Sequence, residues 1–157
     1  MLVGEQPGDQ EDRAGEPFVG PAGKLLDEAL DAAGIDRGEL YLTNAVKHFR
    51  HEQRGRKRIH PKPDLRHLIA CHPWLESEIT IVDPAVVICA GASAGRAVLG
   101  RPVRVAAERG VPLDEIPERL ALVTTHPSAL LRLCGRPGYA QAFAELVHDL
   151  QVADQHA

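Results

Sequence analysis

The segment AVVICA, Ala85–Ala90, is apolar throughout. A strand with one wet face alternates polar and apolar residues, whereas a strand covered on both faces does not. This run therefore calls for a sheet with helices packed on each side. The rest of the chain fits that demand, because short apolar runs alternate with longer helical patterns. The strand candidates are Met1–Gly4, Tyr41–Ala45, Ala85–Ala90 and Ala121–Thr124. PAGKLLDEALDAAG opens on Pro21 and stops at Gly34, as a helix should. Leu25, Leu26, Ala29, Leu30 and Ala33 give it an apolar stripe. A second helix is expected after Pro63, capped by Asp64 and running towards Val82, with Pro73 bending it. Ser93–Leu99 and Tyr139–Val152 complete the set. The expected architecture is α/β: a three-layer α/β/α domain over residues 1–157, with a central, mostly parallel four-stranded sheet.

Composition narrows the class. The 157 residues are 44% apolar and 25% charged, which suits a globular domain able to bury a core. No apolar run is long enough to cross a membrane, and the start does not read as a signal peptide. Three cysteines, Cys71, Cys89 and Cys134, are too few for a disulfide framework and point to a reducing cytoplasm. The opening, Met1–Leu2–Val3–Gly4, reads as the tail of a strand already at its functional end. Relatives are therefore expected to carry a further N-terminal portion.

Open parallel sheets bind ligands at the carboxyl ends of their strands. Here those ends lead into GEQPGDQED, NAVKHF, CAGAS and THPSALLR. Glu5, Asp9, Glu11 and Asp12 are four carboxylates within the nine residues Gly4–Asp12. They could hold a metal, stabilise a developing cation or simply face water. GPAGK, Gly20–Lys24, is not a phosphate loop, since the first glycine of that motif would be Phe18 and Leu25 follows the lysine. Phe18 stands in a polar loop, either as a core anchor or as a face for a stacked base. Asn44 ends a strand, where its amide can read a base edge or cap the backbone. His126 follows the last strand and can donate to an oxyanion or merely open a helix at Pro127.

The chain is acidic overall, with a formal net charge of −4, yet Arg50–Lys62 holds six Lys or Arg against one acid, Glu52. A basic run beside a cleft, against an acidic background, suits nucleic-acid phosphates better than a merely solvated face. His60 lies inside it. His48, His51, His67, His72 and Cys71 match no zinc-finger spacing.

GEQPGDQED, FVGPAG, TNAVKHF, RKRIH and THPSALLR together resemble the uracil-DNA glycosylase superfamily, over nearly the whole chain and in order. Within it they resemble the iron–sulfur family 4 branch, and the RKRIH insertion resembles that of the UdgX type. The resemblance implies base-excision DNA repair: excision of uracil from single-stranded DNA, with the protein left covalently attached to deoxyribose through His60. It implies catalytic roles for Glu5, His60 and His126. It implies uracil contacts from Gln6, Gly8, Phe18 and Asn44, and DNA contacts from Arg56, Lys57, Arg58 and Arg132. The expected partner is uracil-containing single-stranded DNA, bound by a monomer with no membrane association. The resemblance also implies a 4Fe–4S cluster. His48 and Cys71 match two of its ligands, His48 standing where hydrolytic relatives have cysteine. The Cys-x-x-Cys segment that supplies the other two is missing from this sequence, so the cluster is expected to be incomplete or absent. Two other readings share these residues: a hydrolytic glycosylase that turns over, and an inactive single-strand-binding fragment.

Overall fold

The computed structural model describes residues 1–49, 51–55, 57–59 and 61–157. In chain order the elements are β1 (Leu2–Gly4), α1 (Asp9–Ala14), α2 (Pro21–Ala33), β2 (Leu42–Asn44), β3 (Glu52–Arg54), β4 (Lys57–Ile59) and α3 (Leu65–Val82). Then follow β5 (Val86–Ala90), α4 (Ala92–Leu99), α5 (Val105–Glu108), β6 (Pro112–Ile116), β7 (Arg119–Thr124), α6 (Pro127–Leu131) and α7 (Tyr139–Asp154). The main sheet has the order β2-β1-β5-β7-β6. Its first four strands are parallel neighbours, and every residue of β5 is buried. The expected four-stranded parallel sheet is thus present.

A fifth strand, β6, was not foreseen. It pairs antiparallel with β7 at the edge and begins with Pro112. Proline is tolerated at the first residue of an edge strand because it needs no ladder donor there. Asp114 and Glu115 face solvent from this strand, which blunts the edge against further pairing.

Two apolar layers sandwich the sheet. On one face Leu2, Ile88 and Leu122 pack with Leu25, Leu26 and Leu30 of α2, Leu130 of α6, and Leu146 and Leu150 of α7. On the other, Val3, Val87, Cys89 and Val123 pack with Leu68, Cys71 and Leu75 of α3 and Ala94 of α4. Each buried leucine contributes about 1.5–3 kcal/mol. The α3 helix runs unbroken through Pro73 over 18 residues, with Asp64 at its N-cap as expected. Cys71 and Cys89 are buried and Cys134 is exposed. Burial pushes the Cys89 thiol up to about 12.

The basic segment also differs from the expected loop. Its β3 and β4 form a separate two-stranded antiparallel hairpin, with Gln53 opposite Arg58. Strands as polar as EQR and KRI carry no apolar alternation by which to read them. Among the described residues, no helix is long and apolar enough to cross a membrane.

Candidate active site at the carboxyl edge of the sheet

The parallel ladder sets the site's floor. Gly4 of β1 lies in register with Asn44 of β2. Beyond the strand ends the pairing continues, as the Ala45 amide donates to the Gly4 carbonyl and the Val46 amide to the Glu5 carbonyl, both at 2.9 Å. Asn44 is 8% exposed. A methyl group on Gly4 would collide with Asn44 Oδ1 and would lie 2.6 Å from Phe18 Cζ. Glycine is therefore the residue that lets Asn44 and the Phe18 ring meet over the end of β1.

Phe18 is a core anchor, one of the two things its position allowed. It belongs to the buried core of the α2 face, and its ring stacks on His126 with centroids 6.0 Å apart and planes at 27°. Its backbone has φ 55, a left-handed conformation that costs a residue with a Cβ about 1–2 kcal/mol. Arg37 offsets this by donating to the Phe18 carbonyl at 3.1 Å and the Pro17 carbonyl at 3.3 Å, while paired with Asp27.

His126 caps α6. Its Nδ1 accepts the Ser128 amide at 3.1 Å. An amide can only donate, so Nδ1 carries the lone pair and the neutral ring holds its proton on Nε2. The ring is thereby set as an Nε2–H donor.

The first loop is fixed by one of its four carboxylates, which takes up backbone amides instead of a metal or a cation. Glu11 of α1 accepts the Gly8 amide at 3.2 Å and the Gly20 amide at 2.7 Å. One carboxylate thus pins the loop of Gln6 and Gly8 to the turn that follows Phe18. An acid three residues into a helix is a known N-terminal signal, but α1 is polar all round and gives no other sign of a helix. Glu5 accepts a hydrogen bond from Ser93 at 2.6 Å.

The hairpin is tied to this same loop. Arg58 pairs with Asp9 and, at 2.8 Å, with Asp12, and its guanidinium sits 4.8 Å above the Phe49 ring. Gln6 Nε2 donates to the Pro61 carbonyl at 3.1 Å. Desolvation pushes the Asp9 carboxyl up, but hydrogen bonds from Arg13 and Arg58 outweigh it, so the group is held below the usual carboxylate range. Arg58, expected on DNA, thus has protein partners. Arg56 and His60 lie outside the described residues, as does the side chain of Lys57. Arg132 is exposed at the C-cap of α6.

A cavity of about 330 Å³ opens between α1 and the edge strand β2, lined by Asn44, Pro7, Glu11 and Lys47 among others. Neither Phe18 nor His126 lines it, so it adjoins the Phe18–Asn44–His126 cluster rather than containing it.

The two residues matched to cluster ligands do not make a metal site. His48 is exposed, whereas Cys71 lies in the core and its sulfur accepts the Lys47 amide at 3.5 Å. Among the described residues, no group of three or more His, Cys, Asp or Glu is arranged to hold a metal ion. The residues present therefore do not fit a four-ligand cluster, and no chemistry is routed through one.

The chain is 39% identical over 133 residues to the type-4 uracil-DNA glycosylase of Thermotoga maritima, covering 84% of this chain and 66% of that protein. It is 37% identical over 139 residues to the type-4 uracil-DNA glycosylase of Pyrobaculum aerophilum, covering 84% and 67%. The chain thus spans about two thirds of the length of these relatives. The family model described as "Uracil DNA glycosylase superfamily" matches residues 1–151. On that match and these relatives, the chain belongs to the uracil DNA glycosylase superfamily.

Proposed function

We propose that this protein recognises uracil in single-stranded DNA, breaks its N-glycosidic bond and is left joined to the deoxyribose through His60. The observation that carries the reading is the tethering of the basic segment on both sides of position 60. Arg58 holds Asp9 and Asp12, and the Pro61 carbonyl receives Gln6. Both tethers end on the stretch Gln6–Asp12 that follows Glu5.

The uracil enters flipped, stacked on Phe18, with its edge read by the Asn44 amide. Gln6 and the Gly8 region shape the pocket. The C1′–N1 bond breaks with its electron pair going to uracil. The anion spreads onto the carbonyl oxygens, where the Nε2–H of His126 donates. Positive charge develops at C1′ and the Glu5 carboxylate stabilises it. The lone pair of a neutral His60 imidazole then bonds to C1′. The resulting imidazolium loses its N–H proton to Glu5 or water, and uracil takes up a proton as it leaves. Lys57, Arg56 and Arg132 hold phosphates, and Arg58 shapes the hairpin. The protein works as a monomer in the cytoplasm.

The matched relatives are named type-4 uracil-DNA glycosylases, and a second reading is that this chain releases its product and turns over. One assay separates the two. A labelled single-stranded oligonucleotide with one uracil is mixed with the protein, boiled in SDS and run on a denaturing gel. A thymine oligonucleotide and a His60→Ser variant run alongside. A shifted band requiring both uracil and His60 is expected. An alkali-cleavable abasic strand with no shift establishes turnover instead, and an intact uracil strand with no shift overturns both.

A further inference from the structure

Glu5 and His126 work on opposite charges of the same breaking bond, so their separation must be fixed. They come from β1 and from the loop after β7, which are not neighbours in the sheet. Between them lies β5, and its exit turn, Gly91–Ala92–Ser93, touches both. Ser93 is 5% exposed in the first turn of α4 and donates to Glu5 Oε2 at 2.6 Å, across 88 positions of sequence. Gly91 has φ 91, and a methyl group there would lie 3.1 Å from the Cβ of His126. The Gly91 amide donates to the Thr124 carbonyl at 2.9 Å, two residues before His126.

We propose that Ser93 is a positioning residue for Glu5, and that the Gly91–Ser93 turn is the shared brace that sets the spacing of Glu5 and His126. The inference rests on the glycosylase reading above. Ser93 spends its only donor on Glu5. That hydrogen bond is made to the charged carboxylate, the form that faces a developing cation, and it occupies one oxygen while leaving Oε1 for the substrate. Ser93 was not singled out from sequence, because a serine in a first helical turn reads as an ordinary cap.

The test uses the full chain, single-turnover kinetics at saturating single-stranded uracil DNA, and binding measured separately. Ser93→Ala is expected to slow uracil release about tenfold, the loss of one charge-directed hydrogen bond, with DNA affinity unchanged. Ser93→Thr keeps the hydroxyl and should restore most of the rate. In a Glu5→Gln background, Ser93→Ala should add less than about threefold, because two residues acting as one unit are not additive. A wild-type rate in Ser93→Ala overturns the proposal, as does an undiminished tenfold loss in the Glu5→Gln background. An equal fall in rate and affinity with no rescue by threonine also overturns it, since that marks a merely structural serine. Absence of uracil release by the wild-type protein would instead sink the glycosylase reading.

Discussion

The pocket floor and the basic hairpin meet on one loop, yet they are held by different forces. Asn44, Gly4 and Glu5 are set by a backbone ladder between buried parallel strands. The hairpin is a two-stranded ribbon of polar residues, and such ribbons are marginal alone in water. It is held by Arg58 on Asp9 and Asp12, by stacking on Phe49 and by the Gln6–Pro61 hydrogen bond. The proposed base recognition is therefore built on backbone register, which salt and acid hardly touch. The device proposed to capture the sugar is built on partly exposed ion pairs, which both weaken.

The comparison can be broken first at the floor. Gly4→Ala pushes a methyl into Asn44 and Phe18. It should cut uracil release by about 100-fold, the scale of a 1 Å misplacement, as read in a single-turnover assay, with hairpin NMR resonances unmoved. Next is the latch. Asp9→Asn with Asp12→Asn should slow adduct formation about tenfold by loosening the hold of α1 on Arg58. In a His60→Ser background the same pair should change uracil release less than about threefold. An equal loss in both backgrounds would mean that hairpin and floor are one unit.

Acid sharpens the contrast. Asp9 is held below the usual carboxylate range, so its contribution is fully present above about pH 3.9, the ordinary aspartate value. It is lost as pH falls through the lowered folded value. Hairpin and Arg58 side-chain resonances should shift below about pH 4 while those of β5 and β7 hold. Simultaneous loss of both sets would refute the division. The smallest effect is expected from Arg132→Ala. It should weaken single-strand binding by no more than about threefold at any sequence and lower the salt slope by about one.

The sheet could be read from sequence where burial dictated composition. AVVICA had to be covered on both faces, and Pro21, Gly34 and Asp64 mark helix ends through their own backbone chemistry. The misses share a cause. The edge strand β6, the hairpin strands and α1 bury little, so no apolar period announced them. At the site, Phe18, Asn44 and His126 stood out as the wrong residue types for their loops, and the structure gathers them. Ser93 and Arg37 did not, because each acts on a partner 19 to 88 positions away that only the fold brings near.

The three thiols differ sharply in access. Cys71 is buried on the inner face of α3, and Cys89 is sealed in the sheet with its thiol pushed up to about 12, so neither sulfur is open to reagents in water. Cys134 is exposed, two residues beyond Arg132. The folded protein is thus a single-address molecule for thiol-directed dyes. A fluorophore coupled there, on unmutated protein, would sit beside the edge where the strand is proposed to dock. Arrival, dwell and permanent capture of individual oligonucleotides could then be timed by energy transfer without engineering a reporter site.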